Sequence, residues 1–220
     1  MKGVNVESKN RRENMKVLLI NGSPKKNGNT YVALSEVASA LTENGVETEI
    51  VSIGTKAVQG CIACNKCVEL GRCVFKDELY NTVRTKLENA DGIIVGSPTY
   101  YAGPNGSLCA LLDRLFYSCG PLLRYKPAAS VAVCRRGGAS ATFDRLNKYF
   151  TISCMPVVAS QYWNDVHGWL PGEASQDAEG LQTMRTLGNN MAWLLKSIKE
   201  GCQTIPEREP WIMTNFVRSR

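Results

Sequence analysis

The chain has 220 residues, 44% hydrophobic and 21% charged, an ordinary globular balance that suits one α/β domain with embellishments. Its formal charge of +6 is modest and partly carried by Lys2, Lys9, Arg11 and Arg12, and no Lys/Arg block is long enough to argue for nucleic acid. No apolar run approaches the roughly 18–20 residues that span a bilayer, and the polar start is not a signal peptide, so the expectation is a cytoplasmic protein with no membrane partner.

Residues 1–14 read as a flexible leader without apolar periodicity, and Met15 is a candidate start. A short buried strand follows at 16–20, ending in Asn21-Gly22-Ser23-Pro24. Leu34, Val37, Ala38 and Leu41 then recur at helical spacing up to the stop signal Asn44-Gly45. Residues 46–53 read as a second strand and 77–89 as a second helix, with Leu79, Val83 and Leu87 on one face; 54–76 is an insertion between them. A third strand, 91–96, ends at Ser97-Pro98-Thr99-Tyr100-Tyr101, and Leu108, Leu111, Leu112, Leu115 and Phe116 mark the third helix.

Residues 128–134 form a fourth strand ending at Arg135-Arg136-Gly137-Gly138, and Phe143, Leu146 and Phe150 face inward from a fourth helix. Residues 156–160 read as the fifth strand, and 161–172 as a loop with Trp163, Trp169 and the single histidine, His167. The two tryptophans are placed to cover a ligand or a subunit contact, and His167 reads as a surface-loop residue. A last helix spans about 176–199. Strands alternating with helices require parallel pairing, so 15–200 is expected to form a doubly wound five-stranded sheet with helices on both faces. Residues 201–220, with Pro206 and Pro210, read as an arm on the same body or on a neighbouring subunit.

In such a sheet, ligands bind beyond the carboxyl ends of the strands, so the loops after strands one, three and four should share a site. The first, Gly22-Ser-Pro-Lys-Lys-Asn-Gly-Asn-Thr30, offers hydroxyls, a lysine and glycine-freed amides at Gly28, all at a helix N-terminus that favours an anion. Asn29 stands where a nucleoside-triphosphate loop carries lysine, which points to a monophosphate. A bare turn capped by Asn29 or Thr30 accounts for the same residues. Pro98, Thr99, Tyr100, Tyr101 and Gly103 supply an aromatic, backbone-rich wall for a flat heterocycle; Arg135, Gly137 and Gly138 supply polar groups for its edge.

Four of the nine cysteines lie within thirteen residues, as C-x2-C-x2-C-x5-C at Cys61, Cys64, Cys67 and Cys73. Thiolates this close converge on one centre only if the backbone wraps around it, as ferredoxin loops do for [4Fe–4S] clusters. Zinc sites usually separate two C-x2-C knuckles by a dozen or more residues. Zinc, free redox thiols and a vestigial loop remain as alternatives. Cys109, Cys119, Cys134, Cys154 and Cys202 read as small buried hydrophobes.

The 22–30 loop, the stretch Gly96-Ser-Pro-Thr-Tyr-Tyr-Ala-Gly103 and Cys134-Arg-Arg-Gly-Gly-Ala139 resemble the NADPH-dependent FMN reductase superfamily. With the cysteine loop, the chain most resembles its iron–sulfur flavoprotein branch. The resemblance covers roughly 15–200 and implies a flavodoxin-like fold with strand order 2-1-3-4-5. It implies that Ser23, Lys25, Asn29 and Thr30 hold the FMN phosphate and that residues 98–103 line the isoalloxazine ring. It also implies a homodimer or homotetramer.

The expected function is thus an FMN-dependent oxidoreductase with chemistry at flavin N5 and no catalytic side-chain triad. NAD(P)H or another donor reduces FMN, and electrons pass by way of a [4Fe–4S] cluster to a small-molecule or protein acceptor. Two other readings stand beside it: a non-enzymatic electron carrier reduced by ferredoxin, and a zinc-stabilised binding module.

Overall fold

Strands whose side chains alternate between two apolar faces need cover on both sides. A computed structural model, which describes residues 14–201, 204–210 and 212, shows how this chain supplies it. The strands are β1 (Lys16–Asn21), β2 (Glu47–Ser52), β3 (Gly92–Tyr100), β4 (Gly103–Pro104), β5 (Ala128–Cys134) and β6 (Asp165–His167). The helices are α1 (Asn29–Glu43), α2 (Cys67–Leu70), α3 (Glu78–Glu88), α4 (Gly106–Ser118), α5 (Gly120–Leu123), α6 (Ala139–Ile152) and α7 (Ala178–Gly201).

Five strands run parallel in the order β2-β1-β3-β5-β6, and the two-residue β4 pairs antiparallel with β3. Setting β4 aside, this is the flavodoxin-like order 2-1-3-4-5. One face buries Val17, Leu19, Ile94 and Val131 against Leu34, Val37, Leu187 and Met191 of α1 and α7. The other buries Leu18, Ile20, Ile93 and Val95 against Val83 and Leu87 of α3, Leu111 and Leu112 of α4, and Leu146 and Phe150 of α6. Each such aliphatic side chain contributes roughly 1.5–3 kcal/mol when fully withdrawn from water. The direction in which successive strands are added to the sheet reverses between β1 and β3, so the crevice forms at their carboxyl ends.

The structure corrects several expectations. The fifth strand is β6, not 156–160, which makes only an isolated parallel bridge between Ala128 and Val157. There the Ala128 amide bonds the Pro156 carbonyl, but Ser160 Oγ then donates to the Tyr162 carbonyl at 2.6 Å and turns the chain away. Pairing resumes three residues later, with Asp165–His167 beside Ala132–Cys134, so His167 is a strand residue. β3 also runs past Gly96 to Tyr100, because β5 pairs with it through Ser97 and Pro98 after β1 has ended. The last helix starts at Ala178, where Asp177 accepts from the Gly180 amide at 2.9 Å. Cys119 and Cys134 are buried as expected, but Cys109 is half-buried and Cys154 is exposed in a left-handed turn at φ 55°. The leader to residue 13 and Cys202 lie outside the described residues. Of the arm, residues 204–210 are exposed, and Tyr125 Oη donates to the Pro206 carbonyl at 3.4 Å.

Candidate functional site

The β1 loop is built around Asn21, which is fully buried at the strand end. Its Oδ1 accepts from the Ser23 amide at 3.1 Å, while its Nδ2 donates to the Lys26 carbonyl and to Ser52 Oγ, both at 3.2 Å. Ser23 Oγ in turn accepts from the Lys25 amide at 3.1 Å. These bonds fold the loop back over the start of α1, where Gly28 is the N-cap and supplies no side-chain cap. Ser23, Gly28 and Thr30 are buried there, and Lys25 is exposed at the rim. Free helix-start amides flanked by hydroxyls make an anion site. Asn29 is turned aside: its Oδ1 accepts from the Ala174 amide at 3.2 Å, in the 3₁₀ turn Glu173–Gln176.

The β1 and β3 ends touch, since the Gly22 amide donates to the Gly96 carbonyl at 2.8 Å. Beyond Gly96, β3 reverses through Tyr101 and Ala102, both left-handed at φ 50° and 55°, into Gly103 of β4. Ser97 pins this hairpin by donating to the Pro98 carbonyl at 2.8 Å and accepting from the Asn105 amide at 2.9 Å. Pro98 and Thr99 are half-buried, Tyr100 is exposed, and Tyr101 stands wholly in solvent. Thr99 Oγ1 is buried without a hydrogen-bond partner among the described residues.

The β5 loop closes on the same hairpin. Gly138 adopts φ 87°, and a Cβ there would lie 2.9 Å from Ala102 Cα, so only glycine allows the approach. Arg135 is exposed, with its guanidinium 5.2 Å from the Trp169 ring centroid. Beside Gly137 and Gly138 opens a cleft of about 410 Å³, lined also by Arg136, Trp163, Asp165, His167 and Asp177. His167 donates its amide to Asp177 Oδ2 at 2.6 Å, and its Nδ1 lies 3.4 Å from the same oxygen. Burial pushes the Asp165 carboxyl up, helped by Asp177 and opposed by His167.

Cys61, Cys64, Cys67 and Cys73 all line one small cavity, together with Phe75, Arg114 and Tyr117. Each C-x2-C step contains one left-handed residue, Ala63 at φ 52° and Asn65 at φ 58°, which curls the chain around that space. Cys61 and Cys64 are exposed, whereas Cys67 and Cys73 are half-buried against α4. Arg114 Nε donates to Cys73 Sγ at 3.3 Å, and the Cys73 amide donates to Tyr80 Oη at 2.9 Å. Burial pushes the Cys67 thiol up, and the neighbouring Cys61, Cys64 and Cys73 push it the same way. A bound cation reverses that repulsion. Among the described residues, no group of three or more His, Cys, Asp or Glu stands in single-ion geometry.

A family model described as NADPH-dependent FMN reductase matches residues 15–169 of this chain. The chain belongs to that family. An iron-sulfur flavoprotein of Methanocaldococcus jannaschii is 38% identical over 194 residues, covering 84% of this chain and 100% of that protein. One from Methanosarcina thermophila is 30% identical over 190 residues, covering 84% and 98%. Among solved structures, a flavodoxin from the domain Archaea superposes with a TM-score of 0.56 at 15% identity, covering 83% of this chain and 99% of that one. The FMN reductase match contains all three strand-end loops and the cysteine loop, and ends before α7.

Two residues of this FMN reductase family member escaped the reading of its sequence. Asn21 looked like the end of a strand, although Asn-Gly-Ser is also a side-chain-to-backbone turn signal. Arg114 sits between Leu112 and Leu115, and a cation inside an apolar helical stripe signals a buried partner.

Proposed function

We propose that the chain is an FMN-dependent oxidoreductase that takes electrons from NAD(P)H or a comparable donor and passes them through FMN and a [4Fe–4S] cluster to an acceptor. The observation that carries this reading is the meeting of the three strand-end loops at the β1–β3 crevice, through Gly22 with Gly96 and Gly138 with Ala102.

The residues present fit both groups. Thr99 Oγ1 is an orphaned buried hydroxyl at the ring wall, and the uncapped start of α1 leaves amides for a phosphate. Four thiols around one curled cavity fit a cluster that fills the space between them. When bound, FMN accepts a hydride and releases electrons singly or in pairs, and an iron–sulfur cluster carries one electron at a time.

Ser23, Thr30 and the helix-start amides that follow Gly28 hold the phosphate, with Lys25 adding charge at the rim; the Gly28 amide itself donates to the Lys25 carbonyl at 3.3 Å. Asn29 acts at one remove, by fixing the 3₁₀ turn at Ala174. Pro98, Thr99, Tyr100, Tyr101 and Gly103 form the wall against the ring, with Gly137 and Gly138 at its edge. Arg135 and Trp169 close the open side. Cys61, Cys64, Cys67 and Cys73 are the cluster ligands. The exposed Trp163 and Trp169 support assembly as a homodimer or homotetramer.

Anaerobic purification followed by an absorbance spectrum, iron and acid-labile sulfide assays, and NADPH turnover with a quinone or free flavin tests the proposal. Flavin bands with iron and sulfide are expected. A folded, colourless chain that takes up no added FMN overturns it, and reduction by ferredoxin with negligible NADPH turnover replaces the reductase by a carrier.

A further inference from the structure

We infer that Arg114 is a positioning residue for the cysteine site: it docks the loop onto α4 and raises the reduction potential of the cluster held there. The inference rests on the cluster reading above.

The Arg114 side chain is 0% exposed, the largest fully buried side chain in the described structure. Its guanidinium reaches both arms of the cysteine loop. Nε donates to Cys73 Sγ at 3.3 Å, Nη1 donates to the Gln59 carbonyl at 3.2 Å, and Nη2 pairs with Asp77. The Tyr80 and Phe75 rings lie 4.8 and 5.5 Å from its central carbon. Only a planar fork meets three separate acceptors in this way; a lysine ammonium on a flexible stem does not.

A buried cation is costly unless paired. Among the described residues, Asp77 is the only carboxylate with which Arg114 forms a salt bridge, and its side chain is 41% exposed, so solvent shares its charge. The remaining positive potential falls on Cys73 Sγ. Tyr80 Oη holds the Cys73 amide from a second side and also bonds Ser118 Oγ at 2.7 Å. Cys73 is thus fixed through both sulfur and backbone, while Cys61 and Cys64 stand in solvent. One-electron reduction adds a unit of negative charge among the four thiolates. A fixed cation and an N–H donated to sulfur stabilise that more negative state.

The full chain, reconstituted anaerobically with iron and sulfide, gives the test: metal and sulfide content, and the midpoint potential from an EPR-monitored dithionite titration. Arg114→Gln shifts the potential down. Asp77→Asn shifts it up, because the guanidinium loses its counter-charge while asparagine still caps α3. Arg114→Lys falls between Arg114→Gln and the wild type. A mere brace loosens with either change and gives no shifts of opposite sign. Loaded variants whose potentials match the wild type, or all move one way, overturn the inference and leave the cluster reading standing. Should Arg114→Gln not fold, Asp77→Asn and Arg114→Lys decide. A wild-type chain that binds FMN but no iron or sulfide defeats the cluster reading and this inference with it.

Discussion

Gly22 and Gly96 meet back to back across the β1–β3 crevice, with the Gly22 amide donating to the Gly96 carbonyl at 2.8 Å. A Cβ on Gly22 would stand 2.7 Å from that oxygen and run into Leu108 Cδ2. Leu108 Cδ2 is the end of a buried but flexible side chain, whereas the carbonyl belongs to the sheet and cannot give way. Gly22→Ala should therefore cost about 1–3 kcal/mol, as overpacking does in a filled interior. It should also weaken FMN binding, because the phosphate loop starts at the displaced residue. Urea denaturation of the apo chain and quenching of flavin fluorescence read the two effects separately; an unchanged variant on both counts contradicts the contact.

Thr99 gives a prediction in which stability and binding move apart. Its Oγ1 is buried and unpartnered, and leaving a hydroxyl unsatisfied costs of order 1–3 kcal/mol. Thr99→Val keeps the shape and the β-branching that suits a strand. The apo variant should melt at the same temperature or higher, while its FMN dissociation constant rises about 5-fold, the worth of one hydrogen bond of roughly 1 kcal/mol. A variant that melts lower and binds FMN normally would place the hydroxyl's partner within the protein.

Periodicity was enough to place β1, β5 and α1 to within a residue or two, because their apolar patterns are dictated by a sheet covered on both sides. It failed at 156–160, where an apolar run makes a single bridge, and at 165–167, where the edge strand reads Asp-Val-His. An edge strand of three residues buries only Val166 completely, so it leaves no apolar run to read. Loop chemistry was legible where glycine, proline and hydroxyls cluster, as in 22–30. Contacts made by one long side chain across the fold were not: Asn29 reaches Ala174 and Arg114 reaches Gln59, partners 145 and 55 residues away. Nothing local in the sequence encodes those meetings.

Two carboxylates should respond to pH with opposite sign. Glu49 is held below the usual range first by the bond from Lys16 and then by Lys86, against a smaller cost of burial. Its stabilisation is present above the ordinary glutamate pKa and is lost as pH falls. Asp165 is pushed above the usual range by burial. Its protonated form suits the fold, so its contribution is full in acid and is lost as pH rises. At pH 7, Glu49→Gln should lower stability modestly, by less than about 1 kcal/mol because solvent screens the pair, and so lower Tm, whereas Asp165→Asn should raise Tm. The Asp165 difference should fade first, as pH falls from above the usual aspartate range to about pH 4, and the Glu49 difference should fade below about pH 4, where its carboxyl takes up its proton in the folded chain. Melting curves across that range check the crossing; effects that persist in acid assign both residues a packing role instead.

The cysteine cavity and the ring wall sit at opposite ends of α4. Asn105 caps its start by accepting from the Ser107 amide at 2.7 Å, within the hairpin that carries Thr99 and Tyr100, whereas Tyr117 in its last turn lines the cysteine cavity. Twelve residues of helix rise separate them by roughly 18 Å, at about 1.5 Å per residue. Loss of one group should leave the other in place. Cys64→Ser removes an exposed ligand outside the buried core, so the fold is expected to survive. Iron and acid-labile sulfide should fall to background while FMN binds at the wild-type ratio to protein. Loss of both cofactors together would mean that the cysteine loop helps to build the flavin wall, and full iron retention would remove Cys64 from the ligand set.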